Sequence, residues 1–109
     1  MTNASLAATG RERLPALSII IPVLDEAATI SARLAVLQAL RQRGAELIVV
    51  DGGSRDGTGD LARAAVDRFL VTARGRATQM NAGAGTSQGG VLLFLHADTT
   101  LPAQADALI

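Results

Sequence analysis

The sequence contains no cysteine, no lysine and no long apolar run. Without cysteine there is neither a disulfide framework nor a thiolate metal site. Without lysine there is no P-loop, whose glycine-rich turn ends on a lysine that reaches the phosphates. A membrane-spanning helix needs about 20 consecutive apolar residues, and the aliphatic stretches here fall far short of that. The opening "MTNASLAATGRERLP" lacks the basic start and apolar stretch of a secretory signal, and residues 1–16 read as a disordered leader. Excess charge of either sign is missing too: ten arginines face ten acidic residues, for a formal net charge of zero. Nothing electrostatic therefore points to nucleic acid. The expected location is the cytoplasm, or a peripheral position at the membrane. With 49% of its 109 residues apolar, the chain has material for one core and one domain.

The apolar residues that are present come in short runs that alternate with helical patterns. "LSIIIPV" (17–23) is a β-branched run closed by a proline, and "ELIVVD" (46–51) is a second strand ending on a carboxylate. "RFLVT" is a third, weaker strand near 69–72, and "VLLFLH" (91–96) a fourth. Between the first two, Ile30, Leu34 and Leu37 fall at helical spacing, with Asp25 and Glu26 at the positive end and Gly44 as the stop. Thr58 or Asp56 is positioned to cap a short helix through Val66. "ATQMNAGAG" forms another, with Ala77, Met80 and Ala84 on one side. Strands alternating with helices predict an α/β fold, a Rossmann-like parallel sheet covered on both faces, and the expected strand order is 3-2-1-4, with the sheet incomplete at the C-terminus.

In an open parallel sheet, ligands bind at the carboxyl ends of the strands, where the strand order reverses. The tips here are Pro22 to Glu26, Asp51 to Asp56, Arg74 to Arg76, and His96 to Asp98. Three of them carry carboxylates and the fourth two arginines. The G-x-G-x-x-G of dinucleotide folds is absent after the first strand, where the turn reads "PVLDEAA". The remaining route to a phosphate ligand is a hard divalent ion held by carboxylate oxygens. Asp98, just past a buried strand, is the candidate metal ligand, and His96 shares its face if the strand continues. Paired arginines beside a glycine suit a nucleotide or its phosphates. Plainer readings stand beside these: an Asx turn for Asp51, helix-start charges for Asp25 and Glu26, and turn or cap roles for Ser54, Asp56, Thr58 and Asp98.

Taken in order, "SIIIPVLDEAATI", "ELIVVDGGSRDGT", "GRATQMNAGA" and "LLFLHADTTLP" resemble the amino-terminal half of family-2 glycosyltransferases of the GT-A fold. They are most similar to a subgroup associated with radical-SAM and selenodomain gene clusters. The resemblance runs from about Leu17 to the end, so that 17–109 would be the nucleotide-sugar-binding part of such a domain. It implies that Asp51 contacts the nucleotide base and that the turn Pro22 to Glu26 lines the same pocket. It also implies that His96-Ala97-Asp98 stands for the family's Asp-x-Asp element on ribose and metal. His96 replaces the first aspartate, which leaves the ribose contact in question but not the metal contact of Asp98.

The implied activity is metal-dependent (Mn2+ or Mg2+) transfer of a sugar from a UDP- or GDP-sugar donor to an acceptor hydroxyl, with inversion. The acceptor would be a small molecule or a lipid, and the general base lies outside this chain. The competing reading is a non-catalytic nucleotide-sugar-binding fragment that lacks the acceptor half. A nucleotidyltransferase, on a related sheet, would open with a glycine-rich turn and a lysine, and both are missing.

Overall fold

The run Leu17–Val23 forms β1, with every residue but Pro22 buried. An unbroken β-branched run is what a strand covered on both faces requires. The computed structural model describes residues 15–95. Strand β2 (Glu46–Asp51) pairs parallel with one side of β1, β4 (Val91–Phe94) with the other, and β3 (Arg68–Val71) lies outside β2. The order is therefore β3-β2-β1-β4, the order expected from the sequence. Val23 is level with Asp51, so the two central strands end together. The β4 partner stops lower: Phe94 faces Ile20, and the Leu95 N–H donates to the Ile20 carbonyl.

One face of the sheet carries most of the core. Helix α1 (Ile30–Gln42) buries Ile30, Leu34, Leu37 and Leu40 on one stripe, against Ile19, Ile21, Leu47 and Val49. Fully burying each such side chain stabilises the fold by roughly 1.5–3 kcal/mol. The helix stops at Gly44, which takes φ +104°, a left-handed geometry that costs glycine little. A short α2 (Thr58–Arg63) adds Ala62 to this cluster. The second face is thinner. There α3 (Arg76–Thr86) covers Ile20, Ile48 and Val50.

Several expectations need correction. Asp25 and Glu26 precede α1 by four or five residues rather than sitting in its first turn, which holds no acidic residue. Asp25 adopts φ +50°, a conformation that an aspartate tolerates in a turn and that breaks the helix. Helix α2 ends at Arg63, short of Val66, and its N-cap residue is Gly57 rather than Thr58 or Asp56, although Asp56 Oδ1 accepts the Thr58 N–H (3.1 Å). The fully buried residues of α3 are Gln79 and Gly83, with Ala82 and Ala84 packed beside them; of the three residues grouped on one side from the sequence, Ala84 thus faces the core, whereas Ala77 is exposed. Gly83 permits close approach: a Cβ on it would lie 2.5 Å from Ile20 Cγ2, so only a glycine lets the helix settle on β1. Strand β4 is described over Val91–Phe94, its expected end at residue 96 lies outside the described residues, and Val91, Leu92 and Phe94 stay substantially exposed. Pro15 and Ala16, the last two residues of the expected leader, are described, and Ala16 lies in a bend just before β1, its carbonyl accepting the Val91 N–H. Residues 1–14 lie outside the described residues.

At the amino ends of the strands, the buried Glu46 joins three strands and the α3–β4 connection. Its Oε1 accepts from Ser18 Oγ (2.8 Å) and the Gln88 N–H (2.9 Å), and its Oε2 pairs with Arg68 Nε (2.9 Å). Burial raises the Glu46 pKa, but hydrogen bonds from Gln88, Arg68 and Ser18 and the Arg68 charge outweigh it and leave the pKa lowered.

Candidate functional site

Three loops meet at the carboxyl ends of β1, β2 and β3. The β1–α1 loop is stapled to the β2–α2 loop by hydrogen bonds in both directions. The Asp25 N–H donates to Ser54 Oγ (2.8 Å), and the Arg55 N–H returns to Asp25 Oδ1 (2.8 Å). The Glu26 N–H donates to Thr58 Oγ1 (2.8 Å), and the Ala27 N–H to Asp56 Oδ2 (3.1 Å). Ser54, Asp56 and Thr58, read from sequence as turn and cap residues, thus also hold the neighbouring loop. The Thr58 hydroxyl, then the Ala27 and Thr58 N–H groups, keep the Asp56 pKa below its usual value. Burial opposes this but does not outweigh it.

The structure gives the two central carboxylates structural partners. Asp51 is buried, and its Oδ1 accepts the N–H groups of Gly53 (2.9 Å) and Ser54 (2.7 Å), the Asx turn that the sequence left open. Its Oδ2 lies toward Gly59, in a hollow of about 300 Å³ that Phe69 and Arg63 also line. The Arg63 guanidinium stacks there on the Phe69 ring, 4.7 Å from its centroid. Glu26 accepts the Leu24 N–H at Oε2 (3.2 Å) and pairs with Arg33 at Oε1 (2.7 Å).

A second, open cleft of about 260 Å³ is lined by Pro22, Glu26, Arg74, Arg76 and Gln79 among others. Four of the expected site residues, Pro22, Glu26, Arg74 and Arg76, therefore come together, while Asp51 opens on the neighbouring hollow. Arg74 and Arg76 are exposed, and neither forms an ion pair among the described residues. Helix α3 begins at Arg76, with no acidic residue in its first turn, so its positive end adds to the two guanidinium charges. That combination favours an anion.

Sequence reasoning missed Gln79, which forms part of the cleft lining. It is 5% exposed, and its Nε2 donates to the carbonyls of Val23 (3.0 Å) and Val50 (2.9 Å). Its Oε1 accepts the Gly75 N–H (3.2 Å). The available signal was a glutamine four residues before Gly83 on the same helical face.

His96 and Asp98 lie outside the described residues, which end one strand away, at Leu95 beside β1. Among the described residues no group of three or more His, Cys, Asp or Glu side chains is gathered to hold a metal ion. Nor, among them, is any helix long and apolar enough to cross a membrane.

A charged cleft at the tips of a β3-β2-β1-β4 parallel sheet accompanies a match of residues 18–106 to the family described as Glycosyl transferase family 2. The chain belongs to that family. This family-2 chain is 39% identical over 101 residues to the PGL/p-HBAD biosynthesis glycosyltransferase of Mycobacterium tuberculosis, covering 86% of itself and 39% of that protein. It is 36% identical over 94 residues to Glycosyltransferase AglE of Haloferax volcanii, covering 78% of itself and 31% of that protein. The chain thus spans less than two-fifths of the length of these curated relatives.

Among solved structures, it superposes on the mannosyltransferase PcManGT of Pyrobaculum calidifontis, in complex with GDP-Man and Mn2+. The TM-score is 0.72 at 26% identity, with 89% of this chain and 31% of that one covered. A mycobacterial protein superposes with a TM-score of 0.69 at 28% identity, with 95% and 38% covered.

Proposed function

We propose that this chain forms the donor-binding part of a glycosyltransferase that takes a sugar from a nucleotide sugar, a GDP- or UDP-sugar, to an acceptor hydroxyl. The observation that carries this reading is the cleft at the β1 tip, where Arg74, Arg76 and the α3 amino terminus converge on one space. Guanidinium groups and a helix amino terminus stabilise a diphosphate in the ground state, and more so as charge develops on the leaving group. The mannosyltransferase neighbour, bound to GDP-Man and Mn2+, supports a nucleotide-sugar donor and a divalent ion.

Asp98 would hold that ion, Mn2+ or Mg2+, and the ion would supply Lewis-acid stabilisation of the diphosphate. Asp51 Oδ2, the carboxylate oxygen outside the Asx turn, would accept from the base, and Pro22 and Glu26 would shape the cleft wall, with His96 near the ribose. In the inverting reaction the acceptor oxygen attacks the anomeric carbon as its bond to the diphosphate breaks. A base must take the acceptor proton within hydrogen-bond reach. We place that base, and the small-molecule or lipid acceptor, in the part of family-length proteins that this chain does not span.

Thermal melting with GDP and with UDP, each with and without Mn2+, tests the proposal. A ligand at ten times its Kd stabilises the folded state by about 1.4 kcal/mol. For a domain of about 100 residues this raises Tm by roughly 6–11 °C. The expected result is such a rise with Mn2+ present, a smaller one without it, and loss of the Mn2+ dependence in Asp98→Ala. No shift with either nucleotide would refute donor binding, and a preserved Mn2+ dependence in Asp98→Ala would refute the assigned metal ligand.

A further inference from the structure

We propose that Gln79 is a positioning residue for the donor: it holds the Arg74–Gly75–Arg76 segment against the tips of β1 and β2, and so sets the affinity of the cleft for a nucleoside diphosphate. The inference rests on the donor-binding reading of that cleft. An amide on the buried face of a helix is costly unless its hydrogen bonds are made, and a residue needed only for packing there would be aliphatic. Gln79 instead uses both N–H groups on carbonyls at the ends of two parallel strands, that of Val23, the last residue of β1, and that of Val50, the last but one of β2. Its oxygen takes the Gly75 N–H, between the two arginines.

The three partners belong to β1, β2 and the β3–α3 loop, so one side chain ties the loop that carries both arginines to the tips of the two central strands. The loop needs such a tie. Gly75 sits at φ +142°, a conformation that L side chains rarely adopt, and Arg74 and Arg76 are exposed on either side of it. Gly52 completes the device. A Cβ there would meet Gln79 Oε1 at 2.8 Å, so the missing side chain is what leaves room for the amide. Gln79 acts through the arginines and the Gly75 backbone.

The test measures binding of GDP and of UDP, each with Mn2+, by calorimetry on the full chain, together with Tm. The variants are Gln79→Ala, Gly52→Ala and Gln38→Ala. Gln38 is the control: its Nε2 also donates to two carbonyls, those of Leu34 and Ala65, but it lines no part of the cleft. For a loop freed but not removed we expect a loss of affinity of about tenfold, which is about 1.4 kcal/mol. Gln79→Ala and Gly52→Ala should each weaken nucleotide binding by that factor, whereas Gln38→Ala lowers Tm and leaves Kd within about twofold.

If Gln79→Ala does not fold, Gly52→Ala carries the test, because the atoms nearest its added methyl are the far end of the Gln79 side chain rather than backbone. Wild-type protein that binds neither nucleotide overturns the donor-site reading and this inference with it. Wild-type protein that binds, with variants that bind equally well, overturns the positioning role alone. So does an equal loss of affinity in Gln38→Ala.

Discussion

Helix α3 offers a paired experiment on why the thin face of the sheet holds together. Gly83 and Gly85 lie two residues apart in the same helix, yet a Cβ at Gly85 meets nothing within 4 Å, whereas one at Gly83 lies 2.5 Å from Ile20 Cγ2 and 3.1 Å from Val50 Cγ2. Replacing an interior helical glycine by alanine favours the helix by about 0.8–1 kcal/mol, somewhat less near a helix end. At Gly85 that gain is unopposed, so Gly85→Ala should stabilise the fold by about 0.5–1 kcal/mol. At Gly83 the methyl sits more than about 1 Å inside the usual carbon–carbon separation of ~3.5–4.0 Å. Ile20 and Val50 are both fully buried, so neither can move aside into solvent without disturbing the core.

The helix must therefore lift, at an overpacking cost of about 1–3 kcal/mol. Net of the propensity gain, Gly83→Ala should be neutral to destabilising by about 2 kcal/mol, and should lie about 1–3 kcal/mol below Gly85→Ala. In a domain of about 100 residues that separates the two melting temperatures by roughly 5–20 °C. Circular dichroism at a helix wavelength reads it directly. Equal Tm values for the two variants would refute the claim that α3 is seated on β1 through Gly83.

Two further outcomes follow from the buried polar contacts. Because the folded pKa of Glu46 is lowered, its contribution to stability is complete above the unfolded carboxylate pKa and is lost as pH falls through the folded value. Wild type should therefore exceed Glu46→Gln in urea midpoint at neutral pH, and the gap should close on acidification; a gap that widens in acid would contradict the assigned contacts. Thr58→Val, isosteric but without the hydroxyl, leaves the part-buried Glu26 N–H without its acceptor and should cost about 1–3 kcal/mol. Denaturant titration reads this, and a cost below about 0.5 kcal/mol would mean that the two loops are not stapled there.

The amino-acid sequence by itself determined the element order, the parallel α/β class and the strand tips at which the site residues lie. These follow from short-range rules: "LSIIIPV" and "ELIVVD" are β-branched and apolar on both faces, and Ile30, Leu34 and Leu37 recur at helical spacing. It also carried the family resemblance, through motifs that are local strings. Tertiary structure decided which of those residues share a space. Asp51 closes an Asx turn beside one hollow, whereas Pro22, Glu26, Arg74 and Arg76 line another, and nothing in their spacing separates the two.

The same holds for Gln79, whose acceptor at Val23 is 56 residues away, and for Gly83, which looks like a helix breaker until Ile20 is placed beneath it. Periodicity is set by backbone sterics and by the burial of neighbouring side chains. A hydrogen-bond partner or a close contact depends on strand register and on how a helix is seated, which exist only once distant segments have packed.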